Sequence, residues 1–218
     1  MLSAGNDIVS FAEIDPVRTN QAAFYKKILT DWEVLQYQKL ADTIAAFEVY
    51  VWLLWSVKEA AFKFLRRLNS QIVFSPSKFI VGDIKSLEIS AFKSLGFDET
   101  KNALNKTTWH GHITVDKTEL MYFSVIGVDY VHSIIHQVHN SGESYAGVKH
   151  ITDTSAQNQS SEVRKLCLDQ LRQLMPGIQF NINKSEQGVP FIYNIDEKVT
   201  HPVSFSHHGH FVAYSFVI

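Results

Sequence analysis

Apolar and polar positions follow different rhythms along this chain. The segment "DIVSFAEI", preceded by Gly5, is short and rich in β-formers, and it predicts a strand near residues 6–11. From Asn20 to Leu40 the spacing is helical, with a break near Thr30-Asp31, where Thr30 and Glu33 have the spacing of a capping box. Asp42 to Asn69 predicts one long helix, with Ala, Leu, Glu and Lys throughout and no Pro or Gly. After Pro76 the rhythm shortens. "KFIVGDI", "SLEISAF", "WHGHITVD", "ELMYFSVIGV" and "YVHSIIHQVH" predict the strands of a meander, and "HNSGES" is a polar break. "SSEVRKLCLDQLRQLMPG" then predicts an amphipathic helix stopped by Pro-Gly. "IQFNINKSEQGVPFIY" predicts two short strands and "PVSFSHHGHFVAYSFVI" a terminal hairpin. The order is strand, helices, strands, then helix, strands. It predicts two α+β halves, roughly 1–140 and 141–218, with helices packed on antiparallel sheets. No clear internal repeat is visible, so similarity between the halves has to be structural.

Composition narrows the class. The chain has 218 residues, 45% hydrophobic and 19% charged, enough for a real core and unlike a disordered segment. A net charge of -2 offers no basic field for nucleic acid or a membrane surface. One cysteine, Cys167, excludes an internal disulfide and fits a reducing compartment. The N-terminal stretch lacks a basic start and carries Asp7 where a signal peptide is apolar. The apolar run "VYVWLLW" is too short to span a bilayer. The expectation is a cytoplasmic protein.

The chemistry concentrates in "WLLWSVKEAAFKFL", Trp52 to Leu65. Glu59 and Lys63 are four apart and share a helix face. On a helix this apolar a charge needs a partner or a ligand, because burying it alone is costly. Asp7, on the first strand, is the natural partner. Two carboxylates meeting across a cleft repel, and a hard divalent cation resolves that. Mg²⁺ is typically held by one or two carboxylates plus phosphate oxygens and water. Lys63, one turn beyond Glu59, can point at the same phosphate. A zinc site in "HHGH" is disfavoured. Strand alternation puts His208 and His210 on one face and His207 on the other, with no Cys or carboxylate close in sequence. No P-loop, nucleophile-elbow or dinucleotide-binding glycine pattern occurs.

Three segments together, "GNDIV", "WSVKEAAFK" and "VSFSHHGHFVAYSF", resemble the 4′-phosphopantetheinyl transferase superfamily. The family patterns are a G-x-D strand, a W-S-x-K-E-A/S-x-x-K helix and an S-x-S-H strand followed by a hydrophobic strand. "ILTDWE" is similar to the F-T-x-x-E segment of the holo-acyl-carrier-protein synthase type. The chain has the length of the two-halved type but the motif order of the short type. The resemblance therefore implies a pseudo-dimer of two similar α+β halves, in swapped order, with one site between them and a monomer as the working unit.

The resemblance also implies an activity and roles. The reaction is transfer of 4′-phosphopantetheine from coenzyme A to a serine of an apo acyl or peptidyl carrier protein, releasing 3′,5′-ADP, as in fatty acid biosynthesis. Asp7 and Glu59 are implied to hold Mg²⁺ (or Mn²⁺), with Glu59 also the general base. Lys63 and Lys58 are implied to meet the phosphates, and Arg164, Ser206 and His207 to contact coenzyme A. Three positions depart from the family. Val9 stands where the long type often has a third carboxylate, Val189 where a G-K-P lysine is frequent, and Glu13 where the short type has an arginine facing the carrier. Lys26, Lys27, Arg66 and Arg67 are the substitutes considered for that arginine. Val189 and Glu13 keep an alternative open: a degenerate member that binds coenzyme A or a carrier protein without transfer.

Overall fold

The computed structural model describes residues 2–44, 46–87, 106–136 and 143–218. It is an α+β protein with two five-stranded antiparallel sheets. In the first, β1 (Gly5–Ser10) pairs with β5 (Tyr130–His136), followed by β4 (Thr118–Ile126), β3 (Thr107–Val115) and β2 (Phe79–Leu87). In the second, β6 (Ser144–His150) pairs with β10 (Phe211–Val217), followed by β9 (Val199–His208), β8 (Pro190–Asn194) and β7 (Phe180–Lys184). In each sheet the first strand pairs with the last and the others descend in order. Each also sends a long helix between its first and second strands: α4 (Phe47–Leu68) in the first, α5 (Ala156–Leu174) in the second.

Residues 16–40 form three short helices: α1 (Pro16–Thr19), α2 (Ala22–Tyr25) and α3 (Asp31–Leu40). Asp15 caps α1 by accepting from Arg18 N at 3.0 Å, and Pro16 sits at its first turn, where no amide is needed. The capping box at α3 forms as its spacing predicts. Thr30 Oγ1 accepts from Glu33 N at 3.3 Å, and Glu33 Oε2 accepts from Thr30 N at 2.7 Å.

Helix α4 starts at Phe47 and not near Asp42, because Ala46 is extended (φ -114°, ψ 128°) and breaks the run. The strand β6 was not expected, since Ser144, Gly147 and a lysine give "SYAGVKH" no clear β pattern; its full pairing with β10 supplies what its sequence lacks. Most of the expected "SLEISAF" strand, most of "HNSGES" and the boundary near residue 140 lie outside the described residues.

Strand β1 is buried along its whole length. Its alternation explains why. Val9 enters the core that α4 makes with the first sheet. Ile8 packs instead with Tyr130, Phe211 and Ala213, so it faces the second sheet. Among the described residues no helix is long and apolar enough to cross a membrane.

Candidate active site

The site begins with a glycine. A Cβ placed on Gly5 would lie 2.2 Å from Ala60 O and 2.7 Å from Phe64 Cβ. Only a residue without one lets β1 run this close to α4. Two hydroxyls fix the contact: Ser56 Oγ donates to Asp7 O at 3.0 Å, and Ser3 Oγ donates to Phe64 O at 2.8 Å. The Asp7 side chain is thereby carried to the Glu59–Lys63 face of α4. Lys63 Nζ is 2.7 Å from Asp7 Oδ1 and 4.0 Å from Glu59 Oε2.

Electrostatics agree with this geometry. Burial pushes the Glu59 carboxyl above its ordinary value, Lys63 opposes the rise, and the Asp7 charge adds to it. Two carboxylates close enough to repel share one cation. That donor set fits a hard divalent ion bound by two carboxylates, with phosphate and water completing its shell. Lys63 holds the neutralising charge. Val9, at the third-carboxylate position of the long type, is core and contributes nothing to the set.

His207 arrives from the second sheet and is exposed. Loss of hydration against its walls lowers its pKa first, then the Lys63 and His208 charges, with Asp7 pulling the other way. Strand alternation turns His207 to the same face of β9 as Phe205, which lines the cavity with Lys63. Ser206 is buried, and its Oγ accepts from Asn6 Nδ2 at 2.9 Å. Asn6 N also donates to Ser204 Oγ at 3.1 Å, and Ser10 N donates to His208 Nδ1 at 3.0 Å. The free edge of β1 is thus bound to β9 by side chains. Asn6 had no sequence signal of its own; its place next to Asp7 on a strand is the only hint available.

One expected residue lies elsewhere. Lys58 does not face the cleft. Its side chain has no exposed surface, and Nζ donates to Glu33 Oε2 at 2.8 Å and to Ile28 O at 2.7 Å. Burial lowers its pKa, and the Glu33 carboxylate raises it. Successive helix residues turn by about 100°, so Lys58 points inward where Glu59 points out. Glu33, which the sequence marks as a cap and as the glutamate of the F-T-x-x-E resemblance, is its partner and also accepts from Val81 N at 2.8 Å. Arg164 sits beside the cleft residue Phe205: its Cζ is 5.8 Å from the Phe205 ring centroid, and Nη1 donates to Ile182 O at 3.1 Å.

Beyond Lys63 the cleft opens into two adjoining cavities of about 290 and 970 Å³. Lys63 and Phe205 line the smaller; Arg66, Arg67, Val189 and Pro190 line both. Arg67 is engaged within the chain. Its Nη2 donates to Pro190 O at 2.8 Å and to Val203 O, and burial pulls its pKa down to about 10. It ties α4 to β8 and β9. Glu13 rests on the β9–β10 turn at Gly209, whose φ of 53° favours glycine and where a Cβ would come 2.7 Å from Glu13 Cγ.

A family model described as the 4′-phosphopantetheinyl transferase superfamily matches residues 3–121, more than half of the chain. The match includes Asp7, Glu33, Lys58, Glu59 and Lys63 and stops before Ser206 and His207. Nothing matches among curated proteins or among solved structures.

Proposed function

The chain belongs to the 4′-phosphopantetheinyl transferase superfamily, and from that membership we propose that it moves 4′-phosphopantetheine from coenzyme A to a serine hydroxyl of an apo carrier protein. One observation carries the reading: Asp7 and Glu59 converge on Lys63, which lines a cleft whose other side is made by β8 and β9, the strand that bears His207.

In this reaction the serine oxygen bonds to the phosphorus that bears pantetheine, a pyrophosphate P–O bond breaks, and 3′,5′-ADP leaves. Asp7 and Glu59 would hold Mg²⁺ or Mn²⁺, which when bound would supply neutralising charge at the pyrophosphate. Glu59 takes the serine proton, directly or through water; its raised pKa brings it closer to the range where a base works best. Lys63 turns from Asp7 to the phosphates and stabilises the charge that develops on the leaving group. His207 contacts a coenzyme A phosphate. Ser206 fixes the β9 backbone through Asn6 and so aims His207. Lys58 anchors the helix and leaves the phosphates to Lys63.

The halves are residues 1–140 and 141–218, and their matching strand order supports a pseudo-dimer. Each half supplies one wall, so a single chain is the working unit, and the carrier is of the acyl or peptidyl kind. The test is incubation with coenzyme A, Mg²⁺ and a panel of apo carriers from fatty acid, polyketide and peptide synthesis. The expected result is a carrier mass increase of one phosphopantetheine, release of 3′,5′-ADP, and a rate per chain unchanged on dilution. No mass shift across the panel refutes transfer; binding of coenzyme A in that case supports the degenerate alternative.

A further inference from the structure

We propose that Arg66 captures the ribose 3′-phosphate of coenzyme A and is the residue that makes the cleft prefer coenzyme A to its dephosphorylated form. The inference rests on the functional reading above and adds a residue to it.

Glu59, Lys63 and Arg66 follow one another at spacings of four and three, a single stripe along α4. In the functional reading the reacting pyrophosphate lies at the Glu59–Lys63 end of the stripe, where Lys63 meets it. Three residues past Lys63 is about 4.5 Å further along the helix, at the junction of the two cavities. The larger cavity, about 970 Å³, is the one roomy enough for a nucleotide. Arg66 lines it, whereas Glu59, Lys63 and Asp7 do not, so we assign the nucleotide and its third phosphate to it.

That phosphate needs a cation, and the lining offers few. Arg67 is committed to the carbonyls of Pro190 and Val203. His201 is held below its ordinary pKa by burial, opposed by Glu197, and so is largely neutral at pH 7. Val189, Pro190 and Phe191 carry no charge. Arg66 is exposed at the mouth of both cavities. Among the described residues its guanidinium meets no carboxylate. It rests instead over the Phe62 ring, with Cζ 5.7 Å from the ring centroid. Such a contact holds the planar group without consuming its donors, leaving the fork open for bidentate phosphate capture.

The experiment is titration calorimetry in Mg²⁺ with two ligands, coenzyme A and dephospho-coenzyme A, on the wild-type chain, Arg66→Ala and Arg66→Lys. A charge-assisted hydrogen bond to phosphate is among the stronger contacts a side chain makes. Arg66→Ala is therefore expected to weaken coenzyme A binding by about tenfold or more while leaving dephospho-coenzyme A nearly unchanged. Arg66→Lys keeps the charge but not the fork and should fall between. An exposed arginine should be dispensable for folding, which unchanged melting temperatures would verify. Equal losses for both ligands, or no loss for coenzyme A, overturn the assignment of Arg66 alone. Unchanged coenzyme A affinity with a raised KM for the carrier also overturns it, in favour of a carrier contact. A wild-type chain that binds neither ligand overturns the functional reading as well.

Discussion

Lys58→Met tests whether the lysine of the K-E pair is an anchor in the core or a phosphate ligand. Lys58 and Glu33 have no exposed side-chain surface, and their 2.8 Å contact is joined by donors from Thr30 N and Val81 N to the same carboxylate. Methionine fills much of the lysine volume but strands Glu33 and the carbonyl of Ile28. Breaking a buried pair from one side costs about 3–5 kcal/mol. A stranded carboxylate can escape by taking a proton. From the ordinary glutamate value that costs about 3.7 kcal/mol at pH 7 and about 1 kcal/mol at pH 5. The escape route caps the electrostatic loss, so we expect about 3–4 kcal/mol at pH 7. In a chain of this size each kcal/mol moves the melting temperature by about 2–4 °C, which gives a fall of about 6–16 °C. The loss must shrink toward pH 5, because protonating the stranded group becomes cheaper as pH falls. Circular-dichroism melts at the two pH values measure both. The double variant with Glu33→Gln should lose less than the two single variants together, since no charge is left to strand. An unchanged melting temperature with a raised KM for coenzyme A would refute this account and return Lys58 to the phosphates.

Glu59→Gln should lower turnover on the order of 10²-fold or more, since base catalysis alone contributes about 10²–10⁴; His207→Ala should instead raise KM for coenzyme A with little change in turnover, and steady-state kinetics at saturating carrier separates the two. Burial raises Glu59 above 4.5 and the base must be ionised, so kcat/KM should rise with pH through a value above 4.5; a limb at or below it contradicts the assignment. Lys63→Met removes the cation that Asp7 holds, so Mn²⁺ followed by paramagnetic resonance should bind the free variant more tightly than wild type, even as transfer collapses; weaker binding counts against Lys63 as the neutralising charge.

Much of this was legible because local signals agreed with the global fold. The capping box at Thr30, the amphipathic helix α5 and the terminal hairpin each carry a strong pattern and form where expected. Asp7, Glu59 and Lys63 were legible as a group because charge on an apolar helix demands a partner. What failed was decided by tertiary contact. The strand β6 exists because β10 offers it an edge. The start of α4 depends on one extended residue, Ala46, within a run of good helix formers. Arg67 reads as a surface cation, yet the walls of the cleft close over it and two carbonyls take its donors.

The sharpest case is the K-E pair itself. Adjacent helix positions differ by about 100°, so one of the two residues had to face away from the cleft, and nothing in "WSVKEAAFK" alone says which. The answer lies in the distant segment "ILTDWE". Once the box with Thr30 fixes the Glu33 side chain, its carboxylate turns into the core and meets Lys58. That contact sets the rotation of α4 about its own axis. With Lys58 held inward, Glu59, Lys63 and Arg66 must all turn toward the cleft, and the contact of Gly5 with Ala60 and Phe64 then brings Asp7 to meet them. The buried pair and the exposed stripe are two consequences of one helix phase. A substitution that lets α4 rotate should therefore damage transfer without touching any group that meets coenzyme A.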